Sequence, residues 1–393
     1  MANRLKGVAS SSLEKNIIEL SSGPFLAAGQ NQFKTFWTRD FCFSVRGLIQ
    51  IGRGDVVRHH LETLLRFIRE KDGLVPRVLD SSAPRWRVTW QAISRLFYLV
   101  DPSIPLTEPL NAEFEDEHHV EAIDSNIAIL LASLEYAKSQ PDGWSWWFSH
   151  LHEWIKIYHY YDNKKTESGL IHQPSFGDWQ DSVDREGESF YTNLMYYIVS
   201  KKLSSISDFE IKEEDLQKTK ERIIETFFDK KTGLFQSLAG YEYLSIDGNL
   251  LALDYHFFKK GSDEEKNLYQ SLKQSVLWKD NPNHIPGFVT YPRYPLTWKT
   301  WAVLGVGLKG YHDYLYWSWL MALSGKVAFA QGDGEEGQKI LDALDAMAQR
   351  DHFIGEIYFP KNDFPLWSSW LFASEIPFSW GAAFVIDFTN HIQ

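Results

Sequence analysis

Thr232-Gly233-Leu234-Phe235 ends one helical stretch, and the same phrase stands earlier as Asp72-Gly73-Leu74-Val75 and Ser168-Gly169-Leu170-Ile171. In each, a glycine suited to a helix C-cap precedes an apolar pair. On either side the apolar residues keep helical spacing. Val56, Val57, Leu61, Leu64, Leu65 and Ile68 share one face, as do Ile123, Ile127, Leu130, Leu131 and Leu134, and later Ile340, Leu341, Leu344 and Met347. Strand-like alternation is scarce, and no Pro-, Gly- or Ser-rich linker divides the chain. The loose repeat predicts an all-α single domain of stacked helix pairs. A closed ring is favoured over an open solenoid, because the polar-aromatic clusters lie in loops far apart in sequence that a ring gathers at one mouth. The long loops 80–90, 101–122 and 280–300 are expected to shape that mouth or cover it.

Composition narrows the partners. With 44% apolar and 23% charged residues the chain can bury a large core. Its 52 acids against 40 bases leave a net charge of −12 spread along the sequence, which argues against nucleic acid or an anionic membrane and for a neutral or cationic ligand. No apolar run reaches membrane-spanning length, and Met1 to Ser12 has no export signal. Cys42 is the only cysteine, so the expected compartment is the cytosol. Aromatic residues make up 15%, with 16 Trp. A large helical core accounts for part of that excess. A sugar site accounts for the rest, because the C–H faces of a pyranose pack on flat rings.

Three segments could carry chemistry. Phe36-Trp37-Thr38-Arg39-Asp40-Phe41 sets an Arg-Asp pair among aromatics ahead of an apolar helix, as either a salt bridge or a clamp on a hydroxylated ligand. Phe176-Gly177-Asp178-Trp179-Gln180-Asp181 crowds carboxylates around a tryptophan before the aromatic helix Phe190 to Val199. Such a turn caps a helix, or it holds a general acid protonated by desolvation and like charge. Ile354-Gly355-Glu356-Ile357-Tyr358-Phe359 holds a lone acid in an apolar stretch, where it must be paired, hydrogen-bonded or protonated. Gly305-Val306-Gly307-Leu308-Lys309-Gly310 fits a dinucleotide motif by letters but lies in no βαβ unit. The histidines lack metal-ligand spacing, and no nucleophile elbow or Walker sequence occurs, so neither a metal nor a cofactor is expected.

In this order the segments resemble the clan of inverting α-glycosidases on an (α/α)6 barrel, which includes the amylo-1,6-glucosidase part of glycogen debranching enzymes, alkaline/neutral invertases, trehalases and glucoamylases. Trp37-Thr38-Arg39-Asp40 looks like the debranching-enzyme W-x-R-D, whose Asp binds the terminal sugar. Ile123-Asp124-Ser125 is similar to the invertase V-D-S, and Trp179-Gln180-Asp181 to the T-W-M-D whose last Asp is the general acid. Tyr311-His312-Asp313-Tyr314-Leu315-Tyr316-Trp317 is similar to a wall of the invertase pocket. Gly355-Glu356-Ile357-Tyr358, with Pro377-Phe378-Ser379-Trp380-Gly381 downstream, resembles the segment that carries the general base.

The resemblance implies a barrel over residues 25–393 behind an N-terminal segment 1–24. Asp181 would be the acid and Glu356 the base, about 6.5–9.5 Å apart as inversion requires. Trp37, Arg39, Asp40, Asp124, Asp178, Trp179, His312, Trp317 and Trp380 would surround the sugar. Tyr191 and Asp313-Tyr314-Leu315 depart from the clan's usual residues, which leaves the sugar open. The clan's large extra domains are missing, which implies a small soluble glycoside. A histidine-based sugar 2-epimerase, a non-catalytic sugar-binding protein and phosphorolysis are the alternatives.

Overall fold

The computed structural model describes residues 1–82, 90, 93, 104–116, 118–279, 285–361, 363–369 and 371–392. Twelve helices alternate between two concentric layers. The outer ones are α1 (Ala2–Asn16), α3 (Gly54–Arg66), α5 (Leu151–His159), α7 (Glu213–Phe227), α9 (Asp263–Gln274) and α11 (Gly334–Asp351). The inner ones are α2 (Thr38–Gln50), α4 (Asp124–Ser139), α6 (Phe190–Leu203), α8 (Ile246–Asp254), α10 (Ser318–Ala330) and α12 (Ser379–His391). Each inner helix touches the next, from α2 through α4, α6, α8 and α10 to α12, and α12 returns to α2. The ring is closed, an all-α (α/α)6 barrel.

Sequence pattern decides which layer a helix joins. An inner helix has a neighbour on each side and an outer helix behind it, so it must be apolar or small nearly all round. In α10 ten of thirteen residues are buried, whereas α7 buries only Leu216, Ile223 and Phe227 of fifteen, the single stripe of a surface helix. Small residues let the inner helices approach. A Cβ on Gly47 of α2 would come within 2.6 Å of the Ala383 backbone in α12. The segment expected to precede the barrel is part of it. Leu5, Ala9 and Leu13 pack α1 against α12 and α11, so the chain's first helix completes the outer layer. Its stripe is one residue wide and flanked by serines, too thin to read in isolation.

The repeated glycine phrase has a different role from the one expected. Gly73, Gly169 and Gly233 do adopt positive φ, but in turns beyond the outer helices, closed by Gly73 N to Arg69 O, Gly169 N to Thr166 O and Gly233 N to Asp229 O. The apolar residues after each glycine are then held by an asparagine of the next inner helix. Asn126 accepts from Val75 N and donates to Gly73 O. Asn193 bonds both backbone groups of Ile171, and Asn249 both groups of Phe235. Three times, therefore, an inner helix is fastened to the hairpin that precedes it.

At the C-terminal ends of the inner helices each contributes one charge, and the signs alternate around the ring. Arg46 pairs with Glu135 at 3.3 Å and with Asp387 at 3.1 Å. Lys202 lies 3.9 Å from Glu135, and Lys326 pairs with Asp254 and Asp387 at 2.7 Å each. The charge of Asp254 reaches Lys202 and closes the circuit.

Candidate active site

At the opposite end, the first turns of the inner helices and the loops between them gather the residues singled out in the sequence. Arg39, near the start of α2, clamps both oxygens of Asp124 at the start of α4, from Nε at 2.7 Å and Nη2 at 3.0 Å. Its Nη1 reaches Asp181 at 3.1 Å. One guanidinium thus joins two inner helices to the loop that carries Asp181, in the bidentate geometry for which arginine is suited. Asp124 is buried, while the Asp181 side chain is 35% exposed and open to a ligand. Burial, reinforced by the charge of Asp181 and opposed by Arg39, pushes Asp40 up to about 7.

Glu356 comes from the loop between α11 and α12 and is 1% exposed. The Tyr311 hydroxyl donates to its Oε1, and Glu375 N donates to its Oε2 at 3.2 Å. Its backbone N–H donates to Glu375 O at 2.9 Å, and its carbonyl accepts from Ser318 N, the first residue of α10. Burial first, then the charge of Glu375, pushes the Glu356 carboxyl up to about 8. Glu375 is also buried. It accepts from the backbone N–H groups of Asn31 and Phe33 at 2.7 and 2.9 Å, and burial pushes it up to about 7. Tyr311 connects the two sides of the site. Burial, then Glu356, hold its proton well above the usual tyrosine range, and the charges of Asp181 and Asp40 act in the same direction.

Aromatic rings line this end of the axis. Trp179 meets His312, Trp317, Trp319 and Trp380 edge-on at centroid distances of 5.0 to 6.0 Å. His312 lies flat against Trp317 and bonds Ser182 Oγ through Nδ1 at 2.7 Å, and burial keeps the imidazole neutral by pulling it well below its usual range. Trp380 stacks on Phe43, while Trp37 stands apart beside Phe33 and Arg77. Among the described residues the buried Nε1 atoms of Trp37, Trp319 and Trp380 and Nε2 of His312 have no hydrogen-bond partner.

Two expectations need correction. Asp178 does not line the opening. It is buried in an ion pair with Arg185 and accepts from Gln180 N at 2.9 Å, so its carboxylate fixes the turn that presents Asp181. Asp181 does not stand among carboxylates alone: Arg39 pairs with it at 3.1 Å and its side chain is 35% exposed. The combination of burial and like charge expected there is found at Glu356, beside Glu375.

The sequence reading passed over Asp247 and Glu375. Asp247 is buried and receives the Trp179 indole N–H and the Ser245 hydroxyl. The signal was there: Asp124-Ser125-Asn126 and Asp247-Gly248-Asn249 open their helices alike, and Tyr191-Thr192-Asn193 does so with the acid replaced. Among the loops, Asn111–Glu113 pairs with Val78–Asp80, which pairs with Phe36–Trp37, so that region borders Trp37. Residues 83–89 and 280–284 of the expected covering loops lie outside the described residues, as does the stretch 94–103.

No known family's profile matches the sequence, and no curated protein matches it. Solved structures do. A rhamnosidase from Klebsiella oxytoca with rhamnose bound superposes with a TM-score of 0.67 at 13% identity, over 100% of this chain and 64% of that one. The fold is that of the (α/α)6-barrel glycosidases. The GH63 mannosylglycerate hydrolase from Thermus thermophilus, in complex with Tris and D-glycerate, gives 0.66 at 12% identity over 97% and 99% of the two chains. A glycosidase E335A variant in complex with glucose gives 0.63 at 11% over 100% and 96%. Identities this low establish a shared barrel and leave the chemistry to the residues of this one. Among the described residues no helix is long and apolar enough to cross a membrane.

Proposed function

We propose that this protein is a glycoside hydrolase that removes a terminal α-linked sugar of the glucoside type from a small soluble glycoside, with inversion at the anomeric carbon. The observation that carries this reading is the convergence of Asp40, Asp124, Asp181 and Glu356 on Arg39 and Tyr311, among tryptophans, at one end of an (α/α)6 barrel. Hydrolysis needs two carboxyls on opposite faces of the sugar. Asp181, exposed on its loop, takes up a proton from solvent against its pairing with Arg39 and passes it to the glycosidic oxygen as the C1–O bond breaks. Glu356 takes a proton from the water that adds to C1, and the sugar leaves with the opposite anomeric configuration. Arg39, Asp40 and Asp124 hold hydroxyls of the non-reducing sugar, and Trp179, Trp317 and Trp380 stiffen the wall behind it.

This assignment places a demand on Glu356. A carboxyl pushed up to about 8 is protonated at neutral pH, and a base must first lose that proton. The pH dependence therefore decides between the two directions of proton transfer. The chain's single cysteine, Cys42, is buried and unpaired, which fits a reducing compartment such as the cytosol.

The test is an NMR time course with a panel of α-linked glucosides, mannosides and rhamnosides, reading the anomer released first. Initial β-sugar from an α-glycoside supports inverting hydrolysis, and initial α-sugar overturns the mechanism. Dependence of turnover on inorganic phosphate would replace hydrolysis by phosphorolysis.

A further inference from the structure

The strand that follows Asp181 pairs with a second segment of the mouth. Thr300 N donates to Ser182 O at 3.0 Å, Asp184 N donates to Trp298 O at 2.6 Å, and Val183 faces Lys299 as its antiparallel partner. Asp181 precedes Ser182 in its turn and Trp301 follows Thr300 at the start of a short helix, so the bond from Thr300 N to Ser182 O brings the two segments together. Trp301 is 76% exposed, more than any other large apolar side chain among the described residues.

Its backbone is well held. The Thr300 hydroxyl caps the short helix Trp301–Gly305, and the buried ammonium of Lys299 pairs with buried Asp313. Beside it, Trp298 stacks with Tyr294 and meets Tyr241 and Tyr243, and Tyr241 is also exposed. From Ile285 to Gly310 the chain has no acid, although its net charge is −12. An indole displayed on a fixed backbone, on a segment bonded to the one that carries Asp181 and in a stretch free of acids, is not accounted for by packing.

We propose that Trp301, continued by Trp298 and Tyr241, is the leaving-group subsite, and that its occupant is a second pyranose ring of a short oligosaccharide. The inference rests on the hydrolase reading above. A general acid must reach the glycosidic oxygen, so the leaving group departs on the side of Asp181, and Trp301 is the ring on that side. The platform offers one open aromatic face to water. A pyranose, with an apolar C–H face and a hydroxylated edge, covers such a face and stays hydrated elsewhere, whereas an alkyl or aryl group gains most from an enclosed pocket.

The experiment compares two substrates that share the terminal sugar, an α-glycosyl fluoride with no sugar as leaving group and a trisaccharide. It is run on wild type, Trp301→Ala and Trp301→Phe. Because Trp301 lies at the surface, the alanine variant is expected to fold, and its thermal midpoint checks this. The expected result is a loss of kcat/KM on the trisaccharide that exceeds the loss on the fluoride about tenfold or more, mostly through KM, and is partly restored by phenylalanine. Equal losses on both substrates, or none on the trisaccharide, overturn the subsite while turnover of the fluoride keeps the hydrolase reading intact. Failure of the wild type to hydrolyse any fluoride or trisaccharide of the panel overturns the hydrolase reading and the subsite with it.

Discussion

Arg46, Glu135, Lys202, Asp254, Lys326 and Asp387 at one end of the inner helices, and Arg39, Asp40, Asp124, Asp181 and Glu356 at the other, are drawn from the same few residue types. At the first end every charge lies between two of opposite sign. The pairing with Lys326 and Arg46 outweighs burial for Asp387 and holds it below the usual carboxylate range. At the second end carboxylates outnumber cations, and Asp40, Glu356 and Glu375 are pushed up to about 7, 8 and 7, chiefly by burial. In the alternating ring each of the six charges has partners of opposite sign. An unbalanced set holds protons that a reaction can move. Both sets occupy one fold, so it is the balance of partners that separates the paired end from the one proposed to react.

The contrast is sharpest in the proposed acid and base. Asp181→Asn and Glu356→Gln should each lower kcat by roughly 10²–10⁴-fold while the circular dichroism spectrum and thermal midpoint stay near wild type. Wild-type turnover in either variant removes that residue from the mechanism. Next in size is the pH profile. If Glu356 is the base, kcat/KM rises as pH passes through about 8, and if it is the acid, kcat/KM falls there.

Substituting one arginine at each end tests the comparison directly. Arg39→Met frees the Asp124 and Asp181 carboxylates together and should cost about 100-fold in kcat/KM. Arg46→Met opens the alternating ring and should lower stability by about 1–3 kcal/mol in urea unfolding, with kinetics within about twofold. A kinetic defect in Arg46→Met as large as that of Arg39→Met would dissolve the distinction between the ends.

The smallest effect is on stability against pH. Asp40, Glu356 and Glu375 bind protons more tightly folded than unfolded, so they favour the folded state most at low pH. Stability should fall as pH rises from about 4 through about 8. Asp387, held low, works in the opposite direction and loses its contribution only as pH drops through the acid range. Thermal midpoints of Glu356→Gln should accordingly decline less between pH 5 and 8 than those of the wild type.

Much of the barrel was readable because layer assignment is local. A helix with one apolar stripe belongs outside and one apolar all round belongs inside, as α7 and α10 illustrate. Arg39 and Asp181 were legible as candidates because charged residues set among aromatics are unusual on packing grounds alone, whereas Asp124 was legible only through the resemblance carried by Ile123-Asp124-Ser125. Asp178 was legible only as a carboxylate. Its capture by Arg185 follows from the path of the turn between them, which no spacing rule supplies. The asparagine clasps escaped notice because Gly73, Gly169 and Gly233 precede their asparagines by unequal stretches, so no fixed period joins them.

By itself, the order of residues determined that the chain forms helix pairs, that polar-aromatic loops recur between them, and which carboxylates stand in those loops, since these depend on neighbours within a few turns. Closure of α12 onto α2, the alternation of charge at the far end, the raised pKa of Glu356 and the bonding of the segment after Asp181 to the one before Trp301 were decided only by tertiary structure. Each depends on distances between residues far apart in the chain, and burial and Coulomb interaction act through those distances and not through sequence separation.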